Sequence, residues 1–248
     1  VSAAAAFIVP DWPAPPNVHA AFSLRAGGAS AAPFDSLNVG AHVGDDPERV
    51  GANRQLVHDL LALPAPALWL RQVHGTGVLD AHRATDSPGA GFDAVVARDP
   101  GTVAVIQVAD CLPVLFAAAD GQAVAAAHAG WRGLAAGVLE ATLESLARPP
   151  ASVMAWLGPA IGPEHFEVGE EVRAAFLKHD AGAAQAFAAN ARGRWQCDLV
   201  QLARRRLQAR GVREVHGGHW CTFADRARFF SYRRDGRCGR MGVFIWRT

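Results

Sequence analysis

Apolar residues in this chain fall mainly into short runs rather than long helical stripes. Runs at 18–25, 67–73, 92–98, 102–109, 112–118, 122–128 and 152–157 are punctuated by Gly, Pro and Asp, which predicts strands. Several are continuously apolar, so those strands are expected to be covered on both faces. Helical spacing is confined to fewer places. Asp46-Pro47 offers an N-cap followed by proline in the first helical position. Val50, Leu56, Val57, Leu60 and Leu61 then form one apolar face, which Pro64 ends. Leu134, Val138, Leu139, Leu143 and Leu146 predict a second helix after Gly130-Trp131, running to Pro149-Pro150. Further helices are expected near 167–178, 181–191 and 198–210, and short strands near 213–216, 228–232 and 242–246. The turn-rich stretch 30–47, SAAPFDSLNVGAHVGDDP, has little periodicity. A loop of that length inside a compact domain is often functional. The pattern predicts an Ala- and Pro-rich arm at 1–16. Residues 17–248 then make a single α+β domain, a mixed sheet system flanked by helices.

Composition narrows the class. Half of the 248 residues are apolar, enough for a sizeable core, and the net charge of +1 draws the chain to neither nucleic acid nor membrane. Charge is nevertheless uneven: Arg204–Thr248 holds twelve arginines against Glu214, Asp225 and Asp235. That excess suits either an anionic ligand or a solvated face. Four unevenly spaced cysteines read as reduced thiols of a cytosolic protein, not as a disulfide scaffold. VSAAAAFIVPDW makes a poor signal peptide, and no uninterrupted apolar run is long enough to span a bilayer.

Four groups of residues carry candidate chemistry. His74, Cys111 and His128 each fall at the end of an expected strand, a rigid place for ligands. They lie too far apart in sequence for a zinc-finger spacing, and a packed His or Cys is the commoner outcome for such residues. If all three bind one ion, a three-ligand set leaves the fourth position open, which is the catalytic arrangement. Asp110, beside Cys111, fits an acid/base group, an orienter of a ligand His, or a turn cap. HGGHWC (His216, His219, Cys221) is a candidate second metal site, though Gly217-Gly218 argues for a turn. FFSYRRDGRCGR (229–240) surrounds glycines with Arg233, Arg234, Arg237 and Arg240, a loop chemistry suited to phosphate. Read as a strand, it puts Ser231 and Arg233 on one face. GPAIGP (158–163) matches neither nucleotide-loop pattern, and the absence of any HxH pair disfavours a multicopper oxidase.

Taken in order, FSLRAGG, SLNVGAHVGDDP, RQVHG, ADCLPVL, HAGWRG, GPAIGP and FFSYRRDG resemble the YfiH-type family, formerly called laccase-domain or polyphenol oxidase proteins. The match runs from about residue 20 to the C-terminus. The family is regarded as zinc-dependent purine nucleoside phosphorylases, some of which also deaminate adenosine and cleave methylthioadenosine. The resemblance implies a cytoplasmic α+β fold with β-sheets sandwiched by helices, and a zinc ion on His74, Cys111 and His128. It also implies substrate contacts from Ser36-Leu37-Asn38, Arg71-Gln72 and 231–233. The chain departs from the family where Glu164-His165 follows GPAIGP, a place that often carries Cys.

The expected reaction is therefore phosphorolysis of adenosine, inosine, guanosine or methylthioadenosine, with Arg233 or Arg132 placing phosphate. Asp110 is the candidate proton carrier, above all for a deaminase side activity. Asn38, Gln72, Arg132, Ser231 and Arg233 are the expected substrate contacts. A monomer acting on a nucleoside and inorganic phosphate is expected, without nucleic-acid or membrane partners. Two other readings use the same residues: a cysteine hydrolase with Cys111 as nucleophile and His128 as base, and a copper-dependent polyphenol oxidase.

Overall fold

The computed structural model describes residues 6–86 and 90–248. In chain order its strands are β1 (Phe7–Ile8), β2 (Val18–Ser23), β3 (Leu68–Trp69), β4 (Val78–Asp80), β5 (Ala94–Ala97), β6 (Ala104–Val108), β7 (Leu112–Ala118), β8 (Val124–Ala129), β9 (Val153–Leu157), β10 (Glu167–Val168), β11 (Phe187–Ala189), β12 (Trp195–Cys197), β13 (Glu214–Gly217) and β14 (Met241–Arg247). The α-helices are α1 (Pro47–Leu61), α2 (Trp131–Ala136), α3 (Val138–Leu146), α4 (Glu170–Leu177), α5 (Leu199–Ala209) and the single turn α6 (Tyr232–Asp235).

Two large mixed sheets form the middle of the molecule. The first runs β1-β2-β14-β6-β3, with β14 antiparallel to both neighbours and β3 parallel to β6. The second runs β13-β9-β7-β8-β5-β4, centred on the antiparallel pair β7 and β8. Alternation assigns the layers. Leu115, Ala117, Val124 and Ala126 face Phe22, Ile106, Val243 and Ile245 of the first sheet in one core. Val114, Phe116, Ala125 and Ala127 face the other way, against Leu134, Leu139 and Leu146 of α2 and α3 and Leu202 of α5. On the outside of the first sheet, Val105 and Phe244 pack with Val57 of α1. Every residue of β7 and β8 is therefore buried, as their unbroken apolar runs predicted.

The fold is the expected mixed α+β sandwich with helices on its outer faces. No helix among the described residues is long and apolar enough to cross a membrane. Several local expectations need correction. Inside the segment read as an arm, β1 adds an edge strand to β2, and Asp11 accepts a hydrogen bond from Trp156 Nε1 at 3.0 Å. The helix expected after Gly130-Trp131 and up to Pro149-Pro150 is two helices joined at Gly137, whose φ of 105° ends one and begins the next. The helix expected at 181–191 is a 3-10 segment, Ala181–Ala186, followed by β11, which pairs with β12 in a small third sheet with β10. Alanine's helix propensity is overridden there by a hairpin: Asn190 Oδ1 accepts from the backbone N–H groups of Arg192 and Arg194, and Gly193 takes a φ of 68°. The strand expected at 228–232 is the lead-in to α6, so Ser231 and Arg233 do not share a strand face. Consecutive Phe229 and Phe230 are both fully buried, and Ser231 Oγ caps the turn by accepting from Arg234 N–H at 3.2 Å.

Candidate metal centre

The site lies at one end of the seam between the two large sheets. His74 sits in the loop after β3, Cys111 where the chain passes from β6 into β7, and His128 near the end of β8, on the face that looks towards the first sheet. Their ligand atoms all lie within 4.8 Å of one another. Cys111 Sγ and His74 Nε2 are 3.9 Å apart, near the ~3.5 Å edge of a tetrahedral zinc site with N and S donors. The His74 and His128 rings meet edge to face at 4.7 Å between centroids.

Backbone and neighbours hold this geometry. His74 (φ 61°) and Asp110 (φ 87°) both occupy the left-handed region, a strain of roughly 1–3 kcal/mol each that persists only where the surroundings dictate it. At His74 the buried carboxylate of Asp93 supplies that constraint. It accepts from the N–H groups of Val73 (3.2 Å), His74 (2.9 Å) and Gly75 (2.6 Å), and lies 2.8 Å from His128 Nδ1. One side chain thus shapes the His74 loop and points His128 Nε2 towards the other two ligands. Gly130 is needed for close approach: a Cβ there would stand 3.0 Å from both Cys111 Sγ and His74 Cδ2. At Gly133 a Cβ would lie 2.8 Å from the carbonyl oxygen of Gly75.

The electrostatics favour a thiolate. Burial pushes the Cys111 thiol up, but His128 and His74 outweigh it and bring it down to about 6. Burial likewise lowers His128, while Cys111 and Asp93 raise it to about 9. Asp93 is held below its ordinary value because its bonds to His128 and the loop amides outweigh burial. A thiolate and two imidazoles, one carboxylate-oriented, are a donor set suited to a soft or borderline divalent metal. Among the described residues this is the one group of three or more His, Cys, Asp or Glu side chains placed to hold a metal. The HGGHWC residues do not converge on one. His219 Nε2 lies 3.3 Å from Asp11 Oδ2, Cys221 Sγ accepts from Gly162 N–H at 3.2 Å, and Gly217 and Gly218 both take positive φ.

Two cavities flank the triad and share His74, Ala109, Cys111 and Tyr232 as their common wall. One, of about 220 Å³, is walled by Trp131, Ile161, Phe166 and Leu199, with Asp110, Arg132 and Arg233 at its edges. The other, of about 330 Å³, is polar, with His42, Gln72, Gln107, His128 and Arg240.

Of the expected site residues, Gln72, Asp110, Arg132 and Arg233 line these cavities. Gln72 spends both amide atoms on the backbone of Gln107, at 2.8 and 2.9 Å. Both oxygens of Asp110 are engaged, one by Thr222 Oγ1 at 2.6 Å and one by Arg233 N–H at 2.7 Å. The orienter of His128 is Asp93, not Asp110. Asn38 and Ser231 are fully buried and line neither cavity. Glu164 and His165 line neither cavity as well, and His165 stacks on Phe223 at 4.4 Å. Sequence reasoning missed Asp93, His42, Arg240 as a wall of the cavity, and Tyr232. For Asp93 a signal existed: a lone carboxylate at the mouth of the apolar run AVVA.

The fold and site define a class: an α/β/β/α sandwich with a His/Cys/His group that could hold a metal ion, set between two cavities. Residues 19–248 match the family described as multi-copper polyphenol oxidoreductase laccase, and the chain belongs to that family. It is 53% identical to purine nucleoside phosphorylase PA4543 of Pseudomonas aeruginosa, over 97% of this chain and 98% of that one. It is 51% identical to purine nucleoside phosphorylase YfiH of Escherichia coli, over 96% and 98%. The crystal structure of Neisseria meningitidis protein NMB0706, of the DUF152 family, superposes with a TM-score of 0.93 at 46% identity, covering 97% of this chain and 98% of that one. That of Bacillus licheniformis hypothetical protein YfiH gives 0.86 at 30% identity, covering 93% of each.

Proposed function

We propose that this protein is a zinc-dependent purine nucleoside phosphorylase. The observation that carries the reading is the three-ligand centre set between two cavities, one apolar and one polar, as a reaction between a nucleoside and an anion requires. The names of the relatives support the reaction class. A phosphate oxygen forms a bond to the sugar C1′, the C1′–N bond breaks, and the departing base keeps the electron pair and takes up a proton. The products are a free base and a sugar 1-phosphate. His74, Cys111 and His128 would hold the metal, which supplies Lewis-acid polarisation of a substrate oxygen or of the base. The chain's own part is positioning. Trp131, Phe166 and Ile161 offer apolar surface to a purine ring, and Asp110 fixes the turn carrying Tyr232 and Arg233 over it. With both oxygens engaged, Asp110 acts here as an anchor and not as a proton carrier.

The test supplies zinc-loaded protein with inosine or adenosine, with and without phosphate. Phosphate-dependent free base is expected, and its absence at full metal loading overturns the reading. Ammonia release from adenosine in the same assay reports the deaminase side activity. A second reading, a cysteine hydrolase, is favoured by the lowered Cys111 thiol beside His128. Metal analysis decides between them. About one zinc per chain, lost in both Cys111→Ala and His74→Ala, excludes the hydrolase, and copper at that stoichiometry with phenol oxidation would favour the oxidase.

A further inference from the structure

We propose that His42 and Arg240 form the subsite for inorganic phosphate, in the polar cavity on the far side of the triad from the aromatic one. The assignment rests on the phosphorylase reading above and deepens it. It starts from the contrast between the two cavities. The polar cavity has no carboxylate in its lining and places an imidazole and a guanidinium beside the triad. The aromatic cavity carries Asp110, and its two arginines serve as walls. Arg233 Nη1 donates to the Glu167 carbonyl at 2.8 Å and its guanidinium lies 5.1 Å from the Phe166 ring centre, while Arg132 stacks on Trp131 at 4.4 Å. A dianion placed there would meet a carboxylate, whereas a purine ring would meet apolar faces.

The polar subsite is built, not incidental. Buried Asn38 clips the loop bearing His42 to Arg240, the residue that leads into β14: its Oδ1 accepts from Gly40 N–H at 2.9 Å and from Arg240 N–H at 2.8 Å. Val39 N–H donates to the Arg240 carbonyl at 3.1 Å, and Arg54 Nε donates to the Val39 carbonyl at 2.9 Å. Gly40 leaves room for the Arg240 stem, since a Cβ there would stand 2.7 Å from Arg240 Cγ. Asn38 thus serves the site as a positioning residue without touching substrate. His42 sits in a positive field: burial lowers its pKa first, and Arg240 and Arg54 lower it further. A bound dianion relieves that field; Arg240 Nη1 already donates to the Cys238 and Gly239 carbonyls at 2.9 and 3.0 Å, so Nε and Nη2 are the donors that would meet the dianion's oxygens.

The experiment measures binding of inorganic phosphate to the zinc-loaded full chain by calorimetry, alongside separate KM values for phosphate and inosine. His42→Gln and Arg240→Gln are expected to weaken phosphate binding at least tenfold and raise the phosphate KM to match. Inosine KM should stay within twofold. Arg240→Lys should restore part of the loss, and Trp131→Leu should show the reverse split. Unchanged phosphate binding in both Gln variants, or a wild-type chain that binds no phosphate, overturns the subsite. If such a chain still releases base in a phosphate-dependent manner, the phosphorylase reading survives. Phosphate binding that is lost in the variants, with no base ever released by the wild type, supports the subsite and removes the phosphorylase reading.

Discussion

Gly130 shows how little freedom the centre has at the scale of single residues. Its missing side chain lets Cys111 and His74 close to 3.0 Å of where a Cβ would stand. In Gly130→Ala the ligands must part while the fold persists, so zinc content should fall below about half an equivalent with little change in the far-UV spectrum. Metal analysis and circular dichroism check this together. Asp93→Asn removes an acceptor shared by three loop amides and His128. Loss of such an orienting partner weakens metal affinity about 10–100-fold, measurable by competition with a chromophoric chelator. The metal-free thiol supplies a third expectation. Cys111 is lowered to about 6 and is thiolate above that pH, while His128, raised to about 9, remains imidazolium until then. Alkylation of metal-free protein by iodoacetamide should therefore rise through pH 6, well below the ordinary thiol range, and a midpoint above 8 would refute the pairing. The convergence of His74, Cys111 and His128 was legible through the family resemblance, since residue type and position at the ends of apolar runs fit packed side chains equally well. Asp93 was overlooked because a carboxylate opening a strand reads locally as a turn residue, and its four partners lie far away in sequence.

Elements position these residues, and the sequence was less legible at that scale. Strands and helices with a strong period, such as β7 and α1, fall where the pattern put them. Segments defined by tertiary partners do not. Residues 228–232 have strand-like aromatics, yet Asp110 takes the Arg233 N–H and Ser231 caps the turn, so the chain coils over the site. Residues 181–191 are alanine-rich, yet the Asn190 hairpin pairs β11 with β12. If α6 is held by Asp110, then Asp110→Gly, which tolerates the φ of 87°, removes the acceptor of the Arg233 N–H and releases the turn. The expected result is a nucleoside KM raised about tenfold or more, zinc retained, and an unchanged shape of the pH–rate profile. A proton carrier would instead lose one limb of that profile, so the two roles separate in one data set. Ser231→Ala should act in the same direction and more weakly, with about 1 kcal/mol of cap energy lost, seen as a small fall in Tm.

Across the whole molecule, the His74, Cys111 and His128 group lies where the two halves of the sandwich meet. His74 belongs to the first sheet's loops, His128 to the second sheet, and Cys111 to the crossing between them. That topology was invisible to local periodicity, because strand order and the face-to-face packing of the sheets depend on long-range pairing. Its consequence is that a bound ion adds a second tie between two layers that Asp93 already links through the amides of the His74 loop. An ion that binds the folded chain but not the unfolded one adds about 4 kcal/mol at a thousandfold excess over its Kd. For a chain of this size each kcal/mol moves Tm by about 2–4 °C, so saturating zinc should raise Tm by roughly 8–16 °C over chelator-treated protein. His74→Ala and Cys111→Ala remove ligands from different sides of the seam, and both should abolish the shift. Cys197→Ala, a buried thiol remote from the triad, should lower Tm with and without zinc by equal amounts and leave the shift intact. A zinc shift surviving in either ligand variant would mean that the ion stabilises the protein from somewhere else.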